Sequence, residues 1–307
     1  MPCLEALASI ADVVAVITQP DRPKGRGLEL APPPVKVCAV ALGVPVLQPS
    51  KVRTPEFAEQ LRSFDADLAI VVAYGRILTR AVLVAPRLGC LNVHASLLPR
   101  WRGAAPIQWA VTSGDAESGV CLMQMDEGLD TGPVLARRAL PIGPDETSAE
   151  LAERLSQLGA ALLREELPRF LRGELIAVPQ GDAQMTLAPI LEKTHGEIDW
   201  KKSAQQVHDL VRGMTPWPGA YTRSPSGAML KVHHTRVAAS TDADAPPGKV
   251  LTADRTGLVV ACGEGAIALD EVQPEGKRKM AALDYLAGRP LSVGDLLGAQ
   301  NDPRENR

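Results

Sequence analysis

The sequence predicts an α/β protein in two parts: a mainly parallel sheet with helices on both faces, then a small C-terminal β-barrel. Three observations carry this reading. Short β-branched apolar runs alternate with helical stretches through the first half, the pattern of strands buried on both faces. Apolar residues then recur at helical spacing from Ser148 to about Leu171 and close that half. Beyond them come short strands punctuated by Gly, Pro and Asp, as in a small barrel or meander. The 307 residues are enough for two ordinary domains, each able to bury a core.

The first strand is expected over Val13–Thr18, an apolar run stopped by Gln19-Pro20. Val44–Pro49 is the second, and Asp67–Ala73 the third, leading into a Tyr74-Gly75 turn. Between them, about Pro55 to Phe64 reads as helix. Cys90–His94 is the fourth strand and Gly119–Met125 the fifth. In such open α/β sheets, of the Rossmann-like kind, ligands bind beyond the strand C-termini. Asn92, His94 and the Tyr74-Gly75 turn all fall at such ends.

Residues 1–178 therefore form the first domain, the polar and irregular 179–189 a linker, and 190–307 the second domain. In the latter, Ser203 to Met214 is a short amphipathic helix with Ser203 as its N-cap. Pro216 and Pro218 forbid its continuation. Strands follow at Met229–His233, Lys249–Leu251, Gly257–Cys262 and Ala266–Val272, and the tail from Gln300 is polar.

Composition excludes several classes. No apolar run reaches the length of a bilayer span and no basic-then-apolar leader opens the chain, so a soluble, cytoplasmic protein is expected, with no membrane partner. The five cysteines are scattered without a C-x-x-C pair, which argues for reduced thiols and against a zinc site. A net charge of −3 leaves polyanion binding to local basic patches. Nothing requires more than a monomer.

The residues that carry chemistry are Asn92, His94 and Asp130. Asn92 and His94 are two apart on an extended strand and project from one face. Pro99 then turns the chain, since it lacks an amide donor. Asp130 lies between Gly128 and Gly132, where backbone freedom lets a carboxylate approach a ligand. Taken singly, a strand-end His is most often structural and an Asp between glycines most often a turn residue. Together, an amide, an imidazole and a carboxylate without a partner nucleophile suggest carbonyl polarisation and proton transfer rather than covalent catalysis.

The whole run Asn92-Val93-His94-Ala95-Ser96-Leu97-Leu98-Pro99, with Leu129-Asp130-Thr131-Gly132, resembles the signature of the formyltetrahydrofolate-dependent formyltransferases. Ile198-Asp199-Trp200, Pro216–Ala220 and Gln273–Met280 are similar to the C-terminal domain of the methionyl-tRNA branch of that family. Thr18–Gly27 resembles that branch's loop for the tRNA acceptor stem. The resemblance implies 10-formyltetrahydrofolate as donor co-substrate, the α-amine of methionyl-initiator tRNA as acceptor, and no metal. Asn92 and His94 would donate to the oxyanion of the tetrahedral intermediate, each such donor being worth roughly 3 kcal/mol. Asp130 would hold His94 in its protonated or correctly oriented form and help remove the amine proton.

By the same resemblance, Arg76, Ile77 and Leu78 border the pterin together with Asp126 and Gly128, and Ser96, Leu97, Leu98 and Pro99 form a folate-contacting turn. Arg26 is placed at the acceptor stem, with Arg22 in the same loop and Lys24 and Lys36 as electrostatic supports. Lys277, Arg278 and Lys279 form a second patch on the expected barrel.

One departure stands out. The family opens with a β-strand and a Gly-Thr-Pro-x-Phe-Ala loop before its first helix, whereas Met1–Ala8 looks like that helix already under way. Met1 is therefore expected to be a misassigned or truncated start, with roughly fifteen residues upstream, and loss of that central strand would expose two neighbouring edges. Two other readings follow: a family enzyme acting on a small amine, and a truncated, inactive tRNA-binding protein. The basic loop and the C-terminal domain speak against the small-amine reading.

Overall fold

The computed structural model describes residues 1–24, 29–239, 242, 244–288 and 291–298. The chain divides into two compact units. One comprises Met1–Pro106, Glu117–Pro141 and Ala152–Pro189, and the other Ile107–Ala116, Ile142–Leu151 and Ile190–Arg307.

The elements run α1 (Pro2–Ala8), β1 (Val16–Ile17), β2 (Arg22–Lys24), β3 (Glu29–Ala31), α2 (Pro34–Ala41), β4 (Val46–Leu47), α3 (Pro55–Arg62), β5 (Ala69–Val71), α4 (Arg80–Leu83), β6 (Cys90–His94), β7 (Arg102–Gly103), α5 (Pro106–Thr112), β8 (Glu117–Gln124), β9 (Val134–Pro141), α6 (Ser148–Leu171) and β10 (Leu187–Ala188). Local chemistry sets many of these bounds. Thr54 caps α3 by accepting from the Phe57 amide at 3.3 Å, and Pro55 fits the first helical turn, where its missing donor has no partner to lose.

The sheet of the first unit is mixed rather than mainly parallel. Its order is β5-β6-β8-β9, parallel between β5 and β6 and antiparallel across β6-β8-β9. The antiparallel side was hidden because β9 carries Arg137 and Arg138 in a half-polar run that does not read as a buried strand. All five residues of β6 are buried, as its place between β5 and β8 requires. Val52, Phe57, Leu78, Val82, Leu83 and Cys90 form one apolar cluster on this scaffold, and Leu98, Cys121, Met123 and Val134 another.

β1 pairs with β4 in parallel as a separate ribbon. Ile17 packs on the cluster that also takes Ala69 and Val71, and Gln19 Nε2 donates to Tyr74 O at 3.0 Å. No backbone ladder joins β1 to β5 among the described residues, so each is paired on one side only.

In the second unit, α7 (Ala204–Gly213) starts at a capping box in which the Ser203 hydroxyl accepts from the Gln206 amide and the Gln206 side chain accepts from the Ser203 amide. The strands β11 (Ala220–Arg223), β12 (Met229–Ala238), β13 (Val250–Asp254), β14 (Gly257–Ala261), β15 (Ala266–Pro274) and β16 (Met280–Ala281) form one sheet of order β11-β12-β15-β14-β13, with β16 on β15. Its pairs are antiparallel. Among the described residues no ladder joins β11 to β13 directly; residues 295–298 lie between them, with Leu296 bridged to Lys249 and the Gly298 amide donating to Arg223 O of β11 at 2.8 Å. Helix α8 (Ala282–Gly288) follows.

The core of this unit gathers Ile198, Trp200, Val207, Val211, Leu230, Val250, Leu258 and Ile267. Trp200 satisfies its buried ring N–H by donating to Thr222 Oγ1 at 3.0 Å. No helix among the described residues is long and apolar enough to cross a membrane.

Candidate active site

Asn92 and His94 sit at the C-terminal end of β6, on one face as their spacing dictates, and both are buried. The turn after β6 brings back the chain at Trp101–Gly103, and the loop between β8 and β9 delivers Asp130. The three sequence-predicted residues meet. Asn92 Nδ2 donates to Asp130 Oδ1 at 3.3 Å, and His94 Nδ1 lies 3.7 Å from Asp130 Oδ2. Among the described residues the Asn92 side chain makes no other hydrogen bond, so its second N–H remains available to a ligand.

The backbone supplies the remaining contacts. The amide of Gly103 donates to Asp130 Oδ2 at 2.9 Å. His94 Nε2 is 3.0 Å from Trp101 O, and because a carbonyl only accepts, Nε2 carries a proton there. That leaves Nδ1 as the ring nitrogen facing the carboxylate. Two positions here hold left-handed backbone although they are not glycine, Trp101 at φ +63° and Asp130 at +52°, and Gly103 is at +131°. Strained positions of this kind, grouped at one cluster of polar side chains, mark a functional site.

Gly132 explains how the loop closes. A Cβ there would lie 1.9 Å from Gln124 O, so the loop can pass this close to β8 only without a side chain. Asp126 is a loop fastener: its Oδ1 accepts from the Gly128 amide at 3.0 Å and from Thr131 Oγ1 at 2.7 Å.

The expected folate contacts separate into two groups. Arg76 and Ile77 are exposed, with Arg76 Nη2 donating to Gln19 Oε1 at 3.2 Å. Leu78 and Leu98 belong instead to the apolar clusters of the unit, and Ser96 is buried with its hydroxyl donating to Arg100 O at 2.6 Å. Leu97 and Pro99 are half-buried in the same turn.

Of the expected tRNA contacts, Arg22 and Lys24 lie on β2 of a hairpin with β3 that the Gly/Pro-rich sequence did not announce. Arg26 falls outside the described residues. Lys36 is already engaged, its Nζ 2.8 Å from Asp21 Oδ2 and 2.8 Å from Gln48 Oε1. Those bonds and Gln48's own donation hold the Asp21 carboxyl below its ordinary range. Lys277, Arg278 and Lys279 are exposed on the β15–β16 turn, and Lys279 pairs with Glu271.

Sequence reasoning missed Trp101 O and the Gly103 amide, which are backbone groups without a side-chain signal. It also missed the buried Arg102 and, within the polar 179–189 segment, Gln180.

Comparison with known proteins identifies the family. The family model described as formyl transferase matches residues 3–167, and that described as formyl transferase, C-terminal domain, matches 190–290. Methionyl-tRNA formyltransferase of Sorangium cellulosum (strain So ce56) is 58% identical over 299 residues, covering 97% of this chain and 96% of that protein. The same enzyme of Myxococcus xanthus (strain DK1622) is 54% identical over 291 residues, 95% and 92% of the two chains. Among solved structures, the N-formyltransferase of Helicobacter canadensis in complex with folinic acid and dTDP-3-aminofucose superposes with a TM-score of 0.65 at 17% identity, covering 89% of this chain and 94% of that one, a likeness of fold. A buried Asn–His pair at a strand end, a carboxylate brought to it by a glycine-closed loop, and near-complete coverage by close relatives lead to one assignment: the chain belongs to the methionyl-tRNA formyltransferase family.

Proposed function

We propose that this protein transfers the formyl group of 10-formyltetrahydrofolate to the α-amine of methionyl-initiator tRNA through Asn92, His94 and Asp130. The amine nitrogen attacks the formyl carbon, a C–N bond forms, and the carbonyl electron pair moves onto oxygen. Collapse of that intermediate breaks the bond to N10 of the folate, which leaves with a proton, while the attacking nitrogen loses one.

The observation that carries the reading is the convergence of the Asn92 amide, His94 Nδ1 and the Asp130 carboxylate at one strand end. Asn92 Nδ2 is one donor for the developing oxyanion, and His94 Nδ1, whose 3.7 Å separation from Asp130 Oδ2 is too long for a hydrogen bond, is the second when that nitrogen carries a proton. They are held on the buried strand β6, where donors need not reorganise as charge develops. Asp130 keeps its carboxylate against both and serves the amine proton. Exposed Ile77 and Arg76 flank the donor's pterin, in keeping with an apolar and a cationic group left uncovered on the surface. Arg22, Lys24, Arg26 and the Lys277–Lys279 turn serve the tRNA phosphates, and Lys36, paired with Asp21 in the structure, is an electrostatic support once that pair opens.

The test is formyl transfer from 10-formyltetrahydrofolate to methionyl-initiator tRNA, with Asn92→Ala, His94→Ala and Asp130→Ala alongside. Each replacement is expected to lower kcat by about 10²–10³-fold, the usual cost of one oxyanion donor or its support. Activity on a small amine such as a nucleotide-linked amino sugar, with none on the tRNA, would overturn the proposal.

A further inference from the structure

Residues 179–189 lie between the two matched family segments and read as a polar linker, and Val178 directly precedes them. In the first unit they form a strap instead. At one end Val178 and Val134 exchange both backbone hydrogen bonds at 2.9 Å. At the other, Thr186 O accepts from the Arg102 amide at 3.0 Å, Thr186 Oγ1 from the Trp101 amide at 2.9 Å, and β10 pairs in parallel with β7. The strap is thus sewn to both segments that build the site: the one carrying Trp101–Gly103 and the one following Asp130.

Gln180 sits between those stitches. Its Nε2 donates both hydrogens, to Asp130 O at 2.9 Å and to Gly132 O at 2.7 Å. Its Oε1 accepts from Arg102 Nε at 3.0 Å. Chemistry fixes which way this amide points. Reversed, it would set its oxygen against two carbonyl oxygens and its NH2 against a guanidinium, which has no acceptor. Arg102 is itself buried, and its next neighbour along the chain, Gly103, supplies the amide that holds Asp130 Oδ2. The left-handed backbone of Asp130 therefore has its carbonyl, and the carbonyl two residues on, tied to one side chain. A strained residue persists only where its surroundings over-determine it, and Gln180 is part of that determination.

We infer that Gln180 is a positioning residue for formyl transfer, oriented by Arg102, which holds the Asp130 loop so that the carboxylate meets Asn92, His94 and the Gly103 amide. The inference rests on the formyl-transfer reading. Gln180 touches no reacting atom and acts through Asp130.

The experiment compares the full chain with Gln180→Ala, Gln180→Glu and Asp130→Ala in the formyl-transfer assay, with unfolding temperature measured for each. Gln180→Ala is expected to lower kcat by about 10²-fold, the scale of a 1 Å misplacement, with KM for donor and tRNA within about twofold. Gln180→Glu keeps the volume and the bond from Arg102 but loses both donors to the loop, so it falls at least as far. A neutral carboxyl regains one donor, so its activity relative to the parent rises as pH is lowered. That pH response distinguishes positioning from mere folding, and the isosteric variant decides the matter should the alanine variant unfold. Either variant folded and within about threefold of the parent kcat overturns the inference, as does a pH profile for Gln180→Glu parallel to the parent's. Asp130→Ala separates the two levels: if it retains full turnover the formyl-transfer reading itself fails, whereas its loss beside unaffected Gln180 variants sinks the positioning role alone.

Discussion

Gly103→Ala tests the site's backbone more severely than any side-chain deletion. At φ +131° an L-residue is strained, at a cost of about 1–3 kcal/mol. The added Cβ would also stand 2.5 Å from Ala188 O and 3.1 Å from its carbonyl carbon. Ordinary contact requires about 3.5 Å, so β7 and β10 must part by roughly 1 Å. Backbone cannot yield as a flexible side chain would, and the displaced amide is the one that donates to Asp130 Oδ2 at 2.9 Å. A hydrogen bond to a charged group is worth about 1.5–3 kcal/mol, and misplacement by 1 Å costs about 10²-fold in rate. The expected result is a loss of about 2.5–6 kcal/mol in stability by denaturant titration together with about 10²-fold in kcat by single-turnover formyl transfer. Gly43→Ala is the control. Gly43 has φ +72° with nothing within 4 Å of a Cβ, so it should lose about 1–2 kcal/mol and leave turnover intact. Full turnover by Gly103→Ala, or a stability loss no greater than that of Gly43→Ala, would refute the reasoning.

Further outcomes follow from other parts of the molecule. Asp209 and Arg212 are both buried on α7, 2.7 Å apart, so Asp209→Ala leaves an uncompensated buried charge and should cost about 3–5 kcal/mol in chemical denaturation. Of the five cysteines Cys38 alone is not buried, so native protein at pH 8 should react with a thiol reagent at that residue and at all five once unfolded. Burial pushes Cys90 up to about 11 and Cys262 to about 12 from an ordinary 9.0. Because these folded values are raised, their contribution is intact below pH 9 and is lost as pH climbs toward 11–12, and an alkaline unfolding series should show the decline in that window. Replacing Lys277 and Arg278 by alanine should flatten the dependence of log Kd for tRNA on log salt, by about 0.7–0.9 for each phosphate no longer neutralised, and leave the folate KM unchanged.

What could be read in the sequence was what local chemistry specifies. The β6 run Cys90–His94 and the helix from Ser148 to Leu171 have the predicted bounds, and Ser203 caps α7 as expected. Strand ends were read too long where apolar residues continue past the last partner: Val13–Thr18 shrinks to Val16–Ile17. Pairing partners set those ends, and they are a tertiary property. The β2–β3 hairpin was hidden among prolines and glycines, and β11 begins directly after Pro218-Gly219, which reads as a turn. Asn92, His94 and Asp130 were legible as a candidate site because they are three chemically distinct side chains in recognisable motifs, and the structure brings them together. Gln180 was not, since a glutamine in a polar run has no periodicity, and its meaning lies in two carbonyls fifty and forty-eight positions away.

Under the proposed formyl transfer, the division of labour in the site follows from what each group would do. An oxyanion donor is most effective when it is in place before charge develops, which favours the five-residue buried strand that carries Asn92 and His94. A group that serves a proton on the attacking amine must reach past that strand toward the acceptor, which favours a loop. A loop alone would not hold a carboxylate to the fraction of an ångström that proton transfer requires. Here the loop carrying Asp130, already fastened within itself by Asp126, is held at three further points: the Gly132 approach to β8, the Gly103 amide on its carboxylate, and Gln180 on its backbone. The first comes from the loop itself, the second from the turn after β6, and the third from a segment almost fifty residues beyond Gly132. A change in that distant segment should therefore alter turnover as a change at Asp130 does, while leaving donor and tRNA affinity near those of the parent.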